Sequence, residues 1–179
     1  TVVSGPAGQP GSDVLYFVLD DGAHGEELWR SNGTTLGTSL VMDIRPGTDS
    51  ASINALVAGP TGSDALYFIA NDGTHGSEVW VARSNSVSML KDINPGSASS
   101  WPGSGRVFVA GDLIYLAADD GVHGVEWWQS DGTTEGTQLV DDINSTGLPD
   151  GYMGMARVDA TVYFSTVGPA GWELYRAPY

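Results

Sequence analysis

The chain has 179 residues, a length that suits one globular domain or a short array of repeats. Because 41% of its residues are hydrophobic, wholesale disorder is disfavoured. Its 22 acidic and seven basic residues give a net charge of -15, which disfavours binding to nucleic acid or to anionic lipid surfaces. No apolar run approaches the roughly 20 residues that span a bilayer, and the absence of cysteine excludes disulfides and thiolate sites. We therefore expect no nucleic-acid partner and no membrane insertion. Because the chain begins at Thr1, we expect a mature or excised piece of a longer protein.

Four related segments follow one another along the chain. The tyrosines near their starts are spaced by 51, 48 and 48 residues: Tyr16, Tyr67, Tyr115 and Tyr163. The glutamates of the next apolar run keep steps of 51, 48 and 47 residues: Glu27, Glu78, Glu126 and Glu173. This repetition predicts a single repeat domain, 1–179, with units at about 1–50, 51–98, 99–147 and 148–179.

Each unit has the pattern of a meander of short strands. Runs of Val, Leu, Ile and aromatic residues are bounded by Gly, Asp, Asn and Pro, and they lack a helical stripe. In the second unit the predicted strands are 54–59, 65–71, 77–83 and 88–93. Repeated four-stranded meanders are typical of β-propeller blades. The predicted fold is all-β, a propeller-like array of about four four-stranded antiparallel blades.

The last of these blades is expected to be incomplete. The sequence stops at Tyr179, directly after the third strand of the fourth unit. We expect either a closed propeller of four blades or a piece that closes with the rest of a longer chain or with a second copy. Because an open strand edge attracts another strand, self-association or a partner chain that completes the last blade is expected.

The segments ELWRSNGTTLGTSLVMDIRPG, from Glu27, and EWWQSDGTTEGTQLVDDIN, from Glu126, resemble the ELWxxDGT repeat of bacterial extracellular and surface proteins. The resemblance covers nearly the whole chain. The second unit departs from it by carrying SNSV in place of the DGT stretch, and the fourth unit lacks both that stretch and the DDG.HG loop. The resemblance implies a secreted or cell-surface protein, but it implies no activity, because that family is defined by its repeat.

The loop DDGAHGEE and its counterparts hold the strongest candidate ligands. Carboxylates clustered on a Gly-rich loop form the oxygen set that Ca²⁺ prefers. The candidate calcium ligands are Asp20, Asp21, Glu27, Asp72, Glu78, Asp119, Asp120 and Glu126. A structural interpretation is also open, in which each Asp accepts backbone N–H bonds at a turn and each His donates to a neighbouring blade.

Histidines and tryptophans are the other candidate ligand-binding residues. Three histidines could converge near a propeller axis and bind a transition metal: His24, His75 and His123. In every third strand the Glu is followed at i+2 by an aromatic residue on the same face, which suits either a sugar platform or, as the favoured interpretation, packing between blades. Three tryptophans outside that register are candidates for an exposed contact surface: Trp101, Trp127 and Trp172.

The repeat also bears on function. Catalysis needs a constellation that occurs once, and the chain has no G-x-S-x-G, H-E-x-x-H or P-loop motif. We therefore expect a non-catalytic extracellular binding or scaffolding module for a glycan or protein ligand, stabilised by calcium if the acidic loops bind it. Two alternatives are a structural subunit of a surface assembly that uses the open blade edge, and an enzyme acting on polysaccharide.

Overall fold

The structure, a computed structural model, describes residues 2–4, 14–84, 86–101, 107–143, 154–159, 161–168 and 171–178. All regular secondary structure in these residues is β-strand, arranged as four antiparallel sheets. No helix long and apolar enough to cross a membrane occurs among them. The all-β, antiparallel prediction is therefore confirmed.

Each sheet is a meander whose strand order follows the chain. The first sheet comprises β1 (Val2–Ser4), β2 (Leu15–Asp20), β3 (Glu26–Ser31) and β4 (Ser39–Met42). The second comprises β5 (Asn54–Ala58), β6 (Leu66–Asn71), β7 (Ser77–Arg83) and β8 (Ser86–Lys91). The third comprises β9 (Val107–Ala110), β10 (Leu113–Asp119), β11 (Val125–Ser130) and β12 (Gln138–Leu139). The fourth comprises β13 (Met155–Val158), β14 (Thr161–Gly168) and β15 (Gly171–Pro178).

The strands of the second sheet lie close to their predicted positions. The third strand occupies residues 77–83 as predicted, whereas the fourth strand ends at Lys91 rather than at Ile93. It ends early because the amide of Ile93 donates to the side chain of Glu78 instead of continuing the ladder. The last sheet has three strands in the described part of the chain, which confirms the predicted incomplete unit.

The sheets pack face to face in chain order, and alternation along each strand gives every sheet two faces. We call the face that carries the repeated tyrosine the forward face, and the face that carries the repeated third-strand aromatic the rear face. On the forward face of the first sheet, Tyr16 and Leu28 share a core with Phe68 and Trp80 on the rear face of the second sheet. The two other cores join the second sheet to the third and the third to the fourth. Each core therefore belongs to two consecutive sheets.

The linker between the first and second sheets and the linker between the second and third sheets are each hydrogen-bonded to both of the sheets that they join. The amide of Ala51 donates to the carbonyl of Glu26 at 3.0 Å, and the carbonyl of Ala51 accepts from the amide of Asn71 at 2.8 Å. The next linker makes the equivalent pair of hydrogen bonds. The amide of Trp101 donates to the carbonyl of Ser77 at 3.3 Å, and the carbonyl of Ser100 accepts from the amide of Asp119 at 2.9 Å. These two linkers thus fix the spacing of the sheets that they join at the loop end.

The rear face of the first sheet is uncovered. Leu15 and Leu19 on this face are 47% and 42% exposed. Their counterparts in the second sheet, Leu66 and Ala70, are buried against the first sheet. The rear face therefore has the composition of an interior surface but no covering sheet among the described residues.

The forward face of the last sheet is also exposed. Trp172 and Leu174 project from it with 59% and 72% of their surfaces accessible. A closed ring of four sheets would place this face against the rear face of the first sheet. No core in the described part of the chain joins those two sheets, so the array is open there.

Candidate functional site

The acidic loop after the second strand is a compact turn built around one Asp and one His. In the second unit, Oδ1 of Asp72 accepts the amides of Thr74 and His75 at 2.8 and 2.9 Å. Oδ2 of Asp72 accepts a hydrogen bond from Nδ1 of His75 at 2.7 Å. The same pairs recur in the other two loops as Asp21 with His24 (2.8 Å) and Asp120 with His123 (2.7 Å).

These contacts correct the expectation that each His would donate to a neighbouring blade. The tight turn places the ring of His75 next to the carboxylate three residues earlier, so its Nδ1 is already paired inside the loop. The part of the interpretation that concerns Asp is confirmed, because Oδ1 caps the turn in all three loops.

The hydrogen bond between each loop aspartate and its histidine lowers the pKa of the aspartate and raises the pKa of the histidine. Hydrogen bonds from the amide of Ala23 and from the side chain of His24 lower the pKa of Asp21 to about 2. The bond to Asp21 raises the pKa of His24 above its usual value, and those of His75 and His123 are raised by their own aspartates.

We predict a pH-dependent contribution from these pairs. A raised histidine pKa adds stability that is complete below the unfolded value of about 6.5 and is lost as pH rises through the folded value. A lowered aspartate pKa adds stability that is complete above about 4 and is lost as pH falls towards the folded value. Replacing the three histidines together by glutamine should therefore lower the urea midpoint more at about pH 5.5 than at about pH 8.5.

The matched control for this experiment is Glu135→Gln, which removes a charge from an exposed loop position. Its effect on the urea midpoint should be the same at both pH values. A histidine-triple variant whose loss is equal at the two pH values would contradict the paired-loop description.

The buried glutamate of the third strand holds the linker that leaves its sheet. Glu78 is 0% exposed, and its Oε2 accepts the amide of Ile93 at 3.1 Å and the hydroxyl of Ser100 at 2.6 Å. Its Oε1 accepts the amide of Ser100 at 2.9 Å. The carboxylate of Glu27 likewise accepts hydrogen bonds from the amides of Ile44 and Arg45 in the linker after its own sheet. Burial raises the pKa of both glutamates.

The candidate calcium ligands therefore have other partners. The loop aspartates face amides and a histidine of their own turn, whereas Glu27 and Glu78 face amides of the linkers. No group of three His, Asp or Glu side chains in the described ranges is arranged to hold a metal ion. These positions do not offer the roughly six to eight oxygens that Ca²⁺ takes. Calcium binding remains a prediction, and the same geometry gives no support to convergence of the histidines on a transition metal.

The tryptophan prediction is wrong for Trp127, which is 1% exposed. It lies one residue before the repeated aromatic and so points to the forward face, where the fourth sheet covers it. Its ring lies 5.9 Å from that of Phe108 and 5.6 Å from that of Phe164. Trp101 is half-buried against the core between the second and third sheets, and Trp172 is exposed as predicted.

The repeated third-strand aromatics pack between sheets, as the favoured interpretation held. Trp80 is buried against the first sheet and Trp128 against the second. Trp29 occupies the same position in the first sheet, but it lies on the uncovered rear face and is only half-buried. Packing between sheets is therefore confirmed for Trp80 and Trp128, and Tyr175, the equivalent residue of the last sheet, packs against the core between the third and fourth sheets.

A groove that the sequence analysis did not find lies between the first and second sheets. It has a volume of about 280 Å³, and the side chains that matter for its chemistry are Tyr16, Arg30, Arg83, Ser84 and Ser86. The sequence signal for it is the SNSV stretch, which leaves only residues 84–85 between β7 and β8. The first and third units have residues 32–38 and 131–137 at this position.

No protein-family model matches the chain, and no curated protein matches it. The resemblance to the ELWxxDGT repeat therefore rests on the sequence segments quoted above.

Proposed function

We propose that the chain is a non-catalytic scaffolding and binding module, a propeller-like part of an extracellular surface protein of the ELWxxDGT-repeat type. The observation that carries this proposal is the uncovered rear face of the first sheet, where Leu15 and Leu19 are exposed. Contiguous exposed apolar surface marks contact sites in soluble proteins. The equivalent faces of the second and third sheets are each covered by a sheet.

The roles of the repeated polar residues support a non-catalytic module. The loop aspartates and histidines pair within turns, and Glu27 and Glu78 are buried against amides of the linkers. A polysaccharide-cleaving site would need two carboxylates facing a bound sugar. Asp21, Asp72 and Asp120 hold their turns instead, and Glu27 and Glu78 hold the linkers.

The covering surface that fits the rear face best is the forward face of the last sheet in a second copy. Within the chain, Tyr16 and Leu28 on a forward face cover the second sheet. Tyr163 and Leu174 occupy the same positions in the last sheet, and Leu174 is 72% exposed. The resulting contact is head to tail, and it leads to a ring or an open filament.

The edge of the last sheet supports the same assembly. In each of the first three sheets the third strand pairs with a fourth strand, whereas β15 pairs only with β14 in the described residues. An unpaired edge offers its amides and carbonyls to an added strand. A strand from a second copy would complete the last sheet.

We predict that the unmodified chain self-associates as its concentration rises through the micromolar range. Either Leu19→Glu or Leu174→Glu should abolish this self-association. Either change places a charge in the apolar contact, where its desolvation is costly. The measurement is size-exclusion chromatography with light scattering. Both positions are exposed in the single chain, so the melting temperature of the monomer should stay close to that of the unmodified chain.

The matched control is Val122→Glu, because Val122 is an exposed apolar residue on the turn between β10 and β11 of the third sheet, outside the first and last sheets. This variant should associate like the unmodified chain. A strict monomer across the concentration range, or equal loss of association in all three variants, would contradict the proposal.

A further inference from the structure

The loops that follow the third strands of the first and third sheets have the same internal hydrogen bonds. We call residues 32–38 the first-unit loop and residues 131–137 the third-unit loop. In each, one side-chain oxygen accepts the amide and the hydroxyl of the threonine two residues later: Asn32 from Thr34 (3.1 and 2.7 Å) and Asp131 from Thr133 (2.9 and 2.7 Å). A serine and a threonine hydroxyl then close each loop: Ser31 with Thr38 (2.6 Å) and Ser130 with Thr137 (2.7 Å). The first-unit loop is therefore held in shape by its own side chains.

The third-unit loop rests on the forward face of the second sheet. The carbonyl of Gly132 accepts a hydrogen bond from the guanidinium of Arg83 at 3.2 Å. A β-carbon added at Gly132 would lie only 2.6 Å from the hydroxyl of Tyr67, so the absence of a side chain permits this close approach. Thr137, at the end of the loop, is 0% exposed. The loop thus contacts a tyrosine and an arginine of the sheet that precedes its own.

The first-unit loop has no such seat in the described part of the chain, where no sheet precedes the first. Gly33 has a φ of +84°, close to the +90° of Gly132. A β-carbon added at Gly33, however, would meet no described atom within 4 Å apart from its chain neighbours. Thr38 is exposed, whereas the equivalent Thr137 is buried. The first unit therefore carries a preformed loop whose contact side is uncovered.

The forward face of the last sheet offers a seat of the same chemistry. Tyr163 occupies the position of Tyr67, and Arg176 lies directly opposite it in the ladder between β14 and β15. In the second sheet, Arg83 lies on the same face, two residues beyond the partner of Tyr67. Arg176 is exposed, and a guanidinium has five N–H donors. The last sheet thus presents a tyrosine and an arginine side by side on an uncovered face.

We propose that the first-unit loop docks on Tyr163 and Arg176 of a second copy, with the carbonyl of Gly33 accepting a hydrogen bond from Arg176. This inference rests on the head-to-tail contact of the proposed function and names the polar contact within it. Apolar contact is non-directional, whereas a hydrogen bond requires defined positions of donor and acceptor. The docked loop would therefore fix how the two copies are aligned.

The test is the dissociation constant of self-association, measured on the whole chain by sedimentation equilibrium. Arg176→Gln should raise this constant about tenfold, because a hydrogen bond from a charged donor is lost. Gly33→Ala should raise it by at least as much, because its methyl group would occupy the place of the Tyr163 hydroxyl, as a β-carbon at Gly132 would meet the hydroxyl of Tyr67.

The matched controls are Arg30→Gln and Gly62→Ala. Arg30 lies opposite the repeated tyrosine of the first sheet, as Arg176 does in the last, but the second sheet packs against that face. Gly62 has a φ of +86° and open space around an added β-carbon, and it lies outside the first and last sheets. Both controls should associate like the unmodified chain. The melting temperature of the monomer should fall equally in Gly33→Ala and Gly62→Ala.

The outcomes separate docking of the loop from the proposed function. A unmodified chain that stays monomeric would overturn both. If the unmodified chain associates, but Arg176→Gln or Gly33→Ala weakens the association no more than its control does, docking of the loop is overturned and the proposed function stands. Weakening by Arg30→Gln in place of Arg176→Gln would overturn it too, because the loop would then lie at the groove between the first two sheets.

Discussion

Glu78→Leu should lower the free energy of unfolding by about 3–5 kcal/mol. The substitution removes the acceptor for the buried amides of Ile93 and Ser100 and for the hydroxyl of Ser100. Leucine fills most of the space but accepts no hydrogen bond, so these donors become buried without a partner. The loss is measured from urea unfolding followed by tryptophan fluorescence.

Two further variants separate the contributions at this position. Glu78→Gln keeps one carbonyl oxygen but turns an amide nitrogen towards a donor, so its loss should be smaller than that of the leucine variant. Glu135→Gln, at an exposed loop position, should change the free energy by less than about 0.5 kcal/mol. A leucine variant as stable as the Glu135 control would contradict the description of Glu78 as the residue that anchors the linker.

Gly76→Ala should cost roughly 3 kcal/mol or more, because two unfavourable effects coincide. The backbone of Gly76 has a φ of +70°, which side chains of L-residues rarely adopt. A β-carbon at this position would also overlap the carbonyl oxygen of Ala98 in the linker to the third sheet. Because the overlapping atoms belong to the linker backbone, the overlap is relieved only if the linker moves away from the loop.

Gly73→Ala in the same loop is the matched control. Its φ of +84° carries the same backbone penalty, but the nearest atom to the added carbon is Nε of Arg45 at 3.5 Å. It should therefore cost only about 1–2 kcal/mol. Urea unfolding of both variants isolates the cost of the close approach. Equal losses would show that loop and linker do not pack as described.

The fold was predictable to the extent that it follows from local patterning. Alternation and turn residues located β5, β6 and β7 within one residue at their ends. The recurrence of Glu and an aromatic residue at i and i+2 predicted the packing of Trp80 and Trp128. These features repeat in each unit, so they are visible before the sheets are assembled.

The features that sequence analysis missed depend on which sheet covers which face. Trp127 is buried because a fourth sheet lies against the third, and no local pattern at Trp127 reveals this. The role of Glu78 depends on a linker that returns to it from residues 93 and 100. The groove depends on a loop that the second unit lacks, and only comparison of the hairpin lengths between units could have indicated it.

The first and last sheets each present an interior-type face, and in the proposed assembly a second copy covers both faces. Hydrogen–deuterium exchange of the unmodified chain at low and high concentration tests this assembly. We expect exchange to slow with concentration in β2, β3, β14 and β15, and to stay unchanged in β6 and β7, which are covered in the single chain. Exchange that is independent of concentration in all of these strands, or slowing confined to the second sheet, would contradict this assembly.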